Sequence, residues 1–129
     1  MVIDDDQDTA QVIKQILIRN NMNANAFTNP AAALDHWLQY STEYCLILSD
    51  IRMPGISGFE VARRVRQVNP DVKVVLISSF EIHKSEVDKV MPSTRVDDFV
   101  LKPVRMDELM NTILKHIGDS KMLPPEAGG

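Results

Sequence analysis

Three things are scarce in this chain: cysteine, long apolar runs and net positive charge. Its one cysteine, Cys45, has no partner for an internal disulfide. No apolar stretch approaches the ~20 residues that a membrane-spanning helix needs. Acids follow immediately after Met1-Val2-Ile3, so no signal peptide is expected at the front. Cytoplasmic residence without a membrane partner is the expectation. A net charge of −4 and a pI near 5.3 argue against broad binding to a phosphate backbone. With no helix-turn-helix segment and no basic arm, direct binding to nucleic acid is not expected. No other histidine or cysteine stands at metal-ligand spacing from His36, which reads as a surface residue. Internal repeats and a second domain are also missing.

What remains is an ordinary globular composition, 44% hydrophobic and 25% charged over 129 residues, long enough for one self-sufficient core. The chain is organised around Leu46-Ile47-Leu48-Ser49-Asp50 and the Met53-Pro54-Gly55 turn that follows. A short apolar run bounded by turn signals suits a strand covered on both faces. An acid at its C-terminal end lies on the edge where open α/β sheets bind ligands.

Taken in order, Met1-Val2-Ile3 reads as the end of a very short or clipped first strand. Two readings of Asp4-Asp5-Asp6 stand. One is a solvated turn with Asp8 as N-cap and Gln11 at the capping-box position. The other is a hard-cation site, since charged oxygen ligands suit Mg²⁺. The spacing predicts a helix over 9–19 with Val12, Ile13, Ile16 and Leu17 on its core face. A weak strand follows over 24–27. Asn29-Pro30 starts a second helix over 31–40, with Leu34, Trp37 and Leu38 facing the core. A third strand over 44–49 delivers Asp50, with Cys45 inside it as a small buried residue. Ser57-Gly58-Phe59-Glu60 is a capping box opening a helix to Val68. Phe59, Ala62 and Val65 face its core side, and Arg63, Arg64 and Arg66 face water.

A fourth strand over 72–78 ends in Ser78-Ser79. The helix expected over 81–91 has low propensity, and Pro92 closes it. A fifth strand over 98–102 ends in Lys102-Pro103. The last helix spans 106–117, with Leu109, Met110, Ile113, Leu114 and Ile117 inward and Gly118 at C′. Residues 1–118 thus form one domain, and 119–129 read as a disordered tail or linker. Strands alternating with helices predict an α/β fold: a single doubly wound five-stranded parallel sheet flanked by five helices.

In such a sheet the C-terminal strand ends share one edge. Asp4 and Asp5, Asp50, Ser78 and Lys102 therefore converge. Three carboxylates together repel one another, and a Mg²⁺ (or Mn²⁺) ion with the Lys102 ammonium would neutralise them. That set suits phosphoryl transfer, with an aspartate as nucleophile.

These pieces, with Met53-Pro54, Gly58 and Lys102-Pro103 at matching separations, make residues 1 to 118 resemble the receiver domain of two-component response regulators. The resemblance implies a flavodoxin-like fold with strand order 2-1-3-4-5. It implies that Asp50 is the phosphoacceptor, supplied by a histidine kinase or a histidine phosphotransfer protein. It also implies a metal held by Asp4, Asp5, Asp50 and the backbone carbonyl of Arg52. Asp5 would ligate directly and Asp4 through water, with Asp6 a bystander unless the register shifts by one. Lys102 and Ser78 would assist the chemistry. Ser78 and Phe99 would be the switch pair, and the Lys102–Pro103 bond would be cis. Such a domain signals through a downstream protein target or a phosphorylation-dependent homodimer. It catalyses no reaction beyond its own phosphorylation and dephosphorylation. The expected output face is the fourth helix, fifth strand and last helix.

Arg95-Val96 stand where the family usually has a small Gly-Ala pair, and Arg52 and Phe80 occupy positions that tune phosphate lifetime. Three other readings compete, and one of them, an inactive receiver-like scaffold, would lack an acid or the lysine, none of which is missing here. A phosphatase of the haloacid dehalogenase type also uses an aspartate nucleophile and Mg²⁺, but needs a second Asp where Arg52 stands. The expectation is a single-domain receiver acting through protein partners, and the alternative is the N-terminal receiver of a longer DNA-binding regulator, with Pro124-Pro125 opening its linker.

Overall fold

A computed structural model of the chain describes residues 1–79 and 96–122. The strands β1 (Val2–Ile3), β2 (Ala26–Phe27), β3 (Leu46–Asp50), β4 (Lys73–Ser78) and β5 (Asp98–Leu101) form one sheet. Its order is β2-β1-β3-β4-β5 and every pairing is parallel. Four α-helices are described: α1 (Gln7–Arg19), α2 (Pro30–Tyr40), α3 (Gly58–Val68) and α4 (Met106–Met122). The additional helix expected over 81–91 lies outside the described residues.

Alternation along the strands builds two cores. Ile3, Ile47, Val74 and Leu76 face α2 and α3, around the almost fully buried Trp37. Val2, Leu48, Val75, Ile77 and Val100 face α1 and α4. Each side chain fully removed from water there contributes about 1.5–3 kcal/mol. Although β1 is short, Met1 extends its pairing, since its carbonyl accepts from Leu48 N at 2.8 Å.

The helix starts follow local chemistry. Asn29 caps α2 by accepting from Ala31 N and Ala32 N, with Pro30 in the first turn. Ser57 Oγ accepts from Glu60 N at the start of α3. The cap of α1 is Asp6 rather than Asp8. Its carboxylate accepts from Asp8 N at 3.2 Å and from the Thr9 hydroxyl at 2.7 Å. At the other end of α1, Met22 N donates to Leu17 O and Asn21 N to Ile18 O. This is a Schellman turn with Asn21 in the left-handed region at φ 65°.

Several side chains lie elsewhere than the periodicity suggests. Val12 is 53% exposed and Leu38 65%, while Ala10 and Ala33 fill the helix–sheet contacts instead. Cys45 is exposed because β3 begins one residue later, at Leu46. Leu114 is half-buried. Helix α4 runs through Gly118 to Met122, so Gly118 does not end it. Arg63 and Arg64 are exposed and pair with Glu60, but Arg66 does not face water. Its guanidinium pairs with Asp97, the two side chains being 12% and 9% exposed. It also donates to Pro70 O at 3.2 Å. Asp97 accepts from Val74 N at 2.8 Å, so the pair fastens the entry of β5 to α3 and β4.

The loop after β3 fixes the first residue of α3 against the strand end. Gly58 N donates to Ile51 O at 2.9 Å. A Cβ on Gly58 would stand 2.4 Å from the backbone oxygen of Asp50. Backbone cannot yield as a flexible side chain can, so only glycine fits. Gly58→Ala should destabilise the fold by about 1–3 kcal/mol through this overlap, read as a lower urea midpoint. An unchanged midpoint would mean that the loop re-forms freely.

Candidate functional site

Four strand ends meet at the C-terminal edge of the sheet. Asp4 follows β1 and is fully buried, its N–H bonded to Phe27 O at 3.0 Å. Asp4 Oδ1 accepts from Asp6 N at 2.9 Å. Asp50, the last residue of β3, is 7% exposed, and its Oδ1 accepts from Ile51 N at 2.9 Å. Lys102 follows β5 and reaches back over the edge. Its Nζ lies 3.0 Å from Asp4 Oδ2 and 3.4 Å from Asp50 Oδ2. The Lys102–Pro103 peptide bond is cis.

Asp5 is exposed beside them. Asp4, Asp5 and Asp50 each offer a carboxylate oxygen, and these atoms lie within 4.8 Å of one another. Asp6 turns away to cap α1, which leaves Asp4 and Asp5 as the two acids of the run at the edge. Ser78 is buried at the end of β4, and its carbonyl accepts from Lys102 N at 2.7 Å. Register pairs Leu76 with Phe99 and Ser78 with Leu101. Strand alternation therefore sets the half-buried Phe99 diagonal to Ser78 on the same face of the sheet. Arg52 lies two residues past Asp50 in the loop, its side chain exposed.

Charge decides what this edge can hold. Burial raises the Asp50 carboxyl above its ordinary range and the Asp4 charge adds to this, with Lys102 opposing both. Burial alone would lower Lys102, but Asp4 and Asp50 outweigh it and hold the ammonium above its ordinary value. Asp6 is held below its ordinary value, chiefly by the Thr9 hydroxyl. Three ionised carboxylates against one ammonium leave two negative charges uncompensated. Asp4 Oδ2 is buried, with the Lys102 ammonium 3.0 Å away. An all-oxygen, doubly negative donor set fits a hard divalent cation such as Mg²⁺.

A family model described as the response regulator receiver domain matches residues 1–114. The chain belongs to this family. It is 29% identical over 115 residues to the response regulator receiver protein CpdR of Brucella abortus, covering 89% of this chain and 92% of that one. It is 30% identical over 119 residues to the two-component response regulator ORR21 of Oryza sativa subsp. indica. There it covers 91% of this chain but only 16% of the relative. Among solved structures it resembles the response regulator TrrA of Thermotoga maritima in complex with Mg(2+)-BeF. That likeness has a TM-score of 0.73 at 29% identity, over 95% of this chain and 96% of the other. A receiver domain protein from Clostridium thermocellum superposes with a TM-score of 0.79 at 22% identity, over 95% and 96% of the two chains, a likeness of fold. The receiver domain is a phosphoacceptor signalling domain, and the phosphatase reading is not favoured. Among the described residues no helix is long and apolar enough to cross a membrane.

Sequence reasoning missed two features of this edge. Periodicity counted Val12 as core, whereas it lines an opening of about 480 Å³ beside Lys102 with Asp8, Thr9, Ile13, Pro103 and Val104. Gly58 stood at the family's spacing, but its steric need under the Asp50 carbonyl was not legible from that.

Burying an ionised Asp50 beside Asp4 costs stability that an amide would not. A raised carboxyl pKa disfavours the folded state above that pKa, and the cost vanishes once the group is protonated in both states. With EDTA present, Asp50→Asn should therefore be more stable than wild type near pH 7. The gap should close as pH falls through the raised Asp50 pKa towards ~4. Urea titrations at two pH values check this, and a less stable variant near pH 7 would contradict it.

Proposed function

We propose that Asp50 accepts a phosphoryl group from a histidine kinase or a histidine phosphotransfer protein, and that Asp4, Asp5 and the Arg52 carbonyl help it hold the Mg²⁺ (or Mn²⁺) this requires. The observation that carries the reading is one ammonium, Lys102, held between two buried carboxylates at a strand edge. A carboxylate of Asp50 attacks phosphorus and the bond to the donor nitrogen breaks. A Mg²⁺ held by these residues would supply charge stabilisation for the phosphoryl oxygens. Lys102 supplies a fixed positive charge, held protonated by its acidic partners. The Ser78 hydroxyl supplies a hydrogen bond. The domain thereby catalyses its own phosphorylation and, with water, its own dephosphorylation. The largely apolar opening beside Lys102, with exposed Val12 at its rim, suits a phosphodonor protein. Cytoplasmic residence accords with such a donor.

Labelling tests the chemistry. With phosphoramidate and Mg²⁺, wild type should gain one phosphoryl group, labile to hydroxylamine as acyl phosphates are. Asp50→Asn should gain none, and Asp5→Ala should lose the dependence on Mg²⁺ together with most of the labelling. Undiminished labelling of Asp50→Asn would place the acceptor elsewhere.

Output follows from what the phosphoryl group offers Ser78. A charge-assisted hydrogen bond is worth about 1.5–3 kcal/mol, enough to bias a two-state element. Moving Ser78 inward frees space on the face it shares with Phe99. The surface that changes would be the segment 81–91, β5 and α4, where a protein target or a second copy would bind. Beryllofluoride with Mg²⁺ should shift amide resonances across 79–110. Ser78→Ala should keep phosphorylation and lose most of those shifts. Changes confined to α1 and α2 would contradict this output face.

A further inference from the structure

The opposite edge of the sheet carries a pocket that phosphoryl chemistry does not use. It opens where the chain enters β2 and β3, whereas Asp50 ends β3. Its volume is about 290 Å³, and its lining is Asn23, Asn25, His36, Tyr40, Glu43 and Tyr44. That lining includes one carboxylate and no lysine or arginine. Rings crowd around His36, with centroids 5.0 Å away for Phe27, 4.7 Å for Tyr40 and 5.5 Å for Tyr44. Asn25 Nδ2 donates to Tyr44 Oη at 2.6 Å, and His36 Nε2 lies 2.6 Å from the same oxygen. Tyr44 Oη thus ties Asn25 on the strand side to His36 on α2, so the pocket wall is held in place by contacts of its own.

The backbone adds the same sign. Helix α2 ends at Tyr40 and runs into a 3-10 turn, Ser41–Glu43, with no basic residue in the last turn of either. A helix C-terminus carries roughly half a negative charge, which favours cations within the last turn.

We propose that this pocket is a binding site for an organic cation, an ammonium or guanidinium group. Ring faces attract such a group within about 6 Å of their centroids, and Glu43 supplies the counter-charge at the rim. The carboxylate, the Tyr40 and Tyr44 rings of the lining and the helix terminus all favour one charge. A free amine and the lysine or arginine side chain of a docking protein present the same chemistry.

Trp37, the only tryptophan, has its ring centroid 6.4 Å from that of Tyr44, so its fluorescence reports on the pocket. The full chain is titrated with choline, with the uncharged tert-butyl isostere of choline, with methylguanidinium and with a short acetylated lysine peptide. The cations should give saturable responses in the millimolar range and the isostere none. Glu43→Gln, at an exposed position, should weaken binding at least about threefold. Tyr40→Leu should weaken it at least about fivefold. Asp50→Asn, at the far edge, should bind as wild type does, which keeps this test separate from the phosphoacceptor reading. Tighter binding of the peptide assigns the site to a protein partner, and tighter binding of choline assigns it to a free amine. No saturable response to any cation, an equal response to the isostere, or a Glu43→Gln titration that overlays wild type overturns the proposal.

Discussion

Asp4 and Asp50 stand on neighbouring strands, buried and of like charge. Lys102 keeps that arrangement from driving the strand ends apart. Its ammonium lies within 3.0 Å of one and 3.4 Å of the other. The contact is charge-assisted and little exposed, so it is screened far less than a surface pair. It does not fully offset the burial of Asp50, whose carboxyl stays above its ordinary range. An edge that retains negative charge after its one lysine is counted attracts a divalent cation.

The rest of the fold serves to hold that edge still. Five parallel strands bring β1, β3 and β5 to the same side, though their sequences are far apart. Gly58 seats the start of α3 directly on the Asp50 carbonyl, so the loop between them has little freedom. At the other end of the sheet, Arg66 and Asp97 fasten the entry of β5. Removing one member of a pair buried this deeply costs about 3–5 kcal/mol. The strand that delivers Lys102 is therefore fixed at its start by one ion pair and at its end by another.

Much of this was legible in the sequence because its cause is local. Asn29-Pro30 and Ser57-x-x-Glu60 cap helices through contacts within three residues, and both do so here. Asp50 and Lys102 were legible because a strand end in a parallel sheet specifies an edge. What was not legible depends on a partner distant in sequence, or on a choice between near-equivalent residues. Asp6 and Asp8 can both cap a helix, and the Thr9 hydroxyl decides for Asp6. Val12 and Leu38 sit at the margin of an apolar stripe, where a small rotation of the helix exchanges core for solvent. Arg66 shares a charged stretch with Arg63 and Arg64, and its pairing with Asp97, just before β5, sets it apart.

The position of Ser78 bears on how the edge communicates. Its carbonyl accepts the N–H of Lys102 at 2.7 Å, so one residue presents a hydroxyl at the strand end and holds the backbone of the lysine. In the proposed reading a phosphoryl group on Asp50 engages both the Ser78 hydroxyl and the Lys102 ammonium. Two groups drawn to the same anion are already joined by a backbone hydrogen bond, so they move together. Their movement is passed to β5, the edge strand, which has a neighbour on one side only. A central strand would resist with ladders on both sides, whereas β5 resists with one. Leu101, 42% exposed on that strand, offers apolar surface where a partner could sense the change. In that reading a signal from Asp50 would reach the edge strand β5 through Lys102, and the Arg66–Asp97 pair at its entry would confine the motion to the end beside the site.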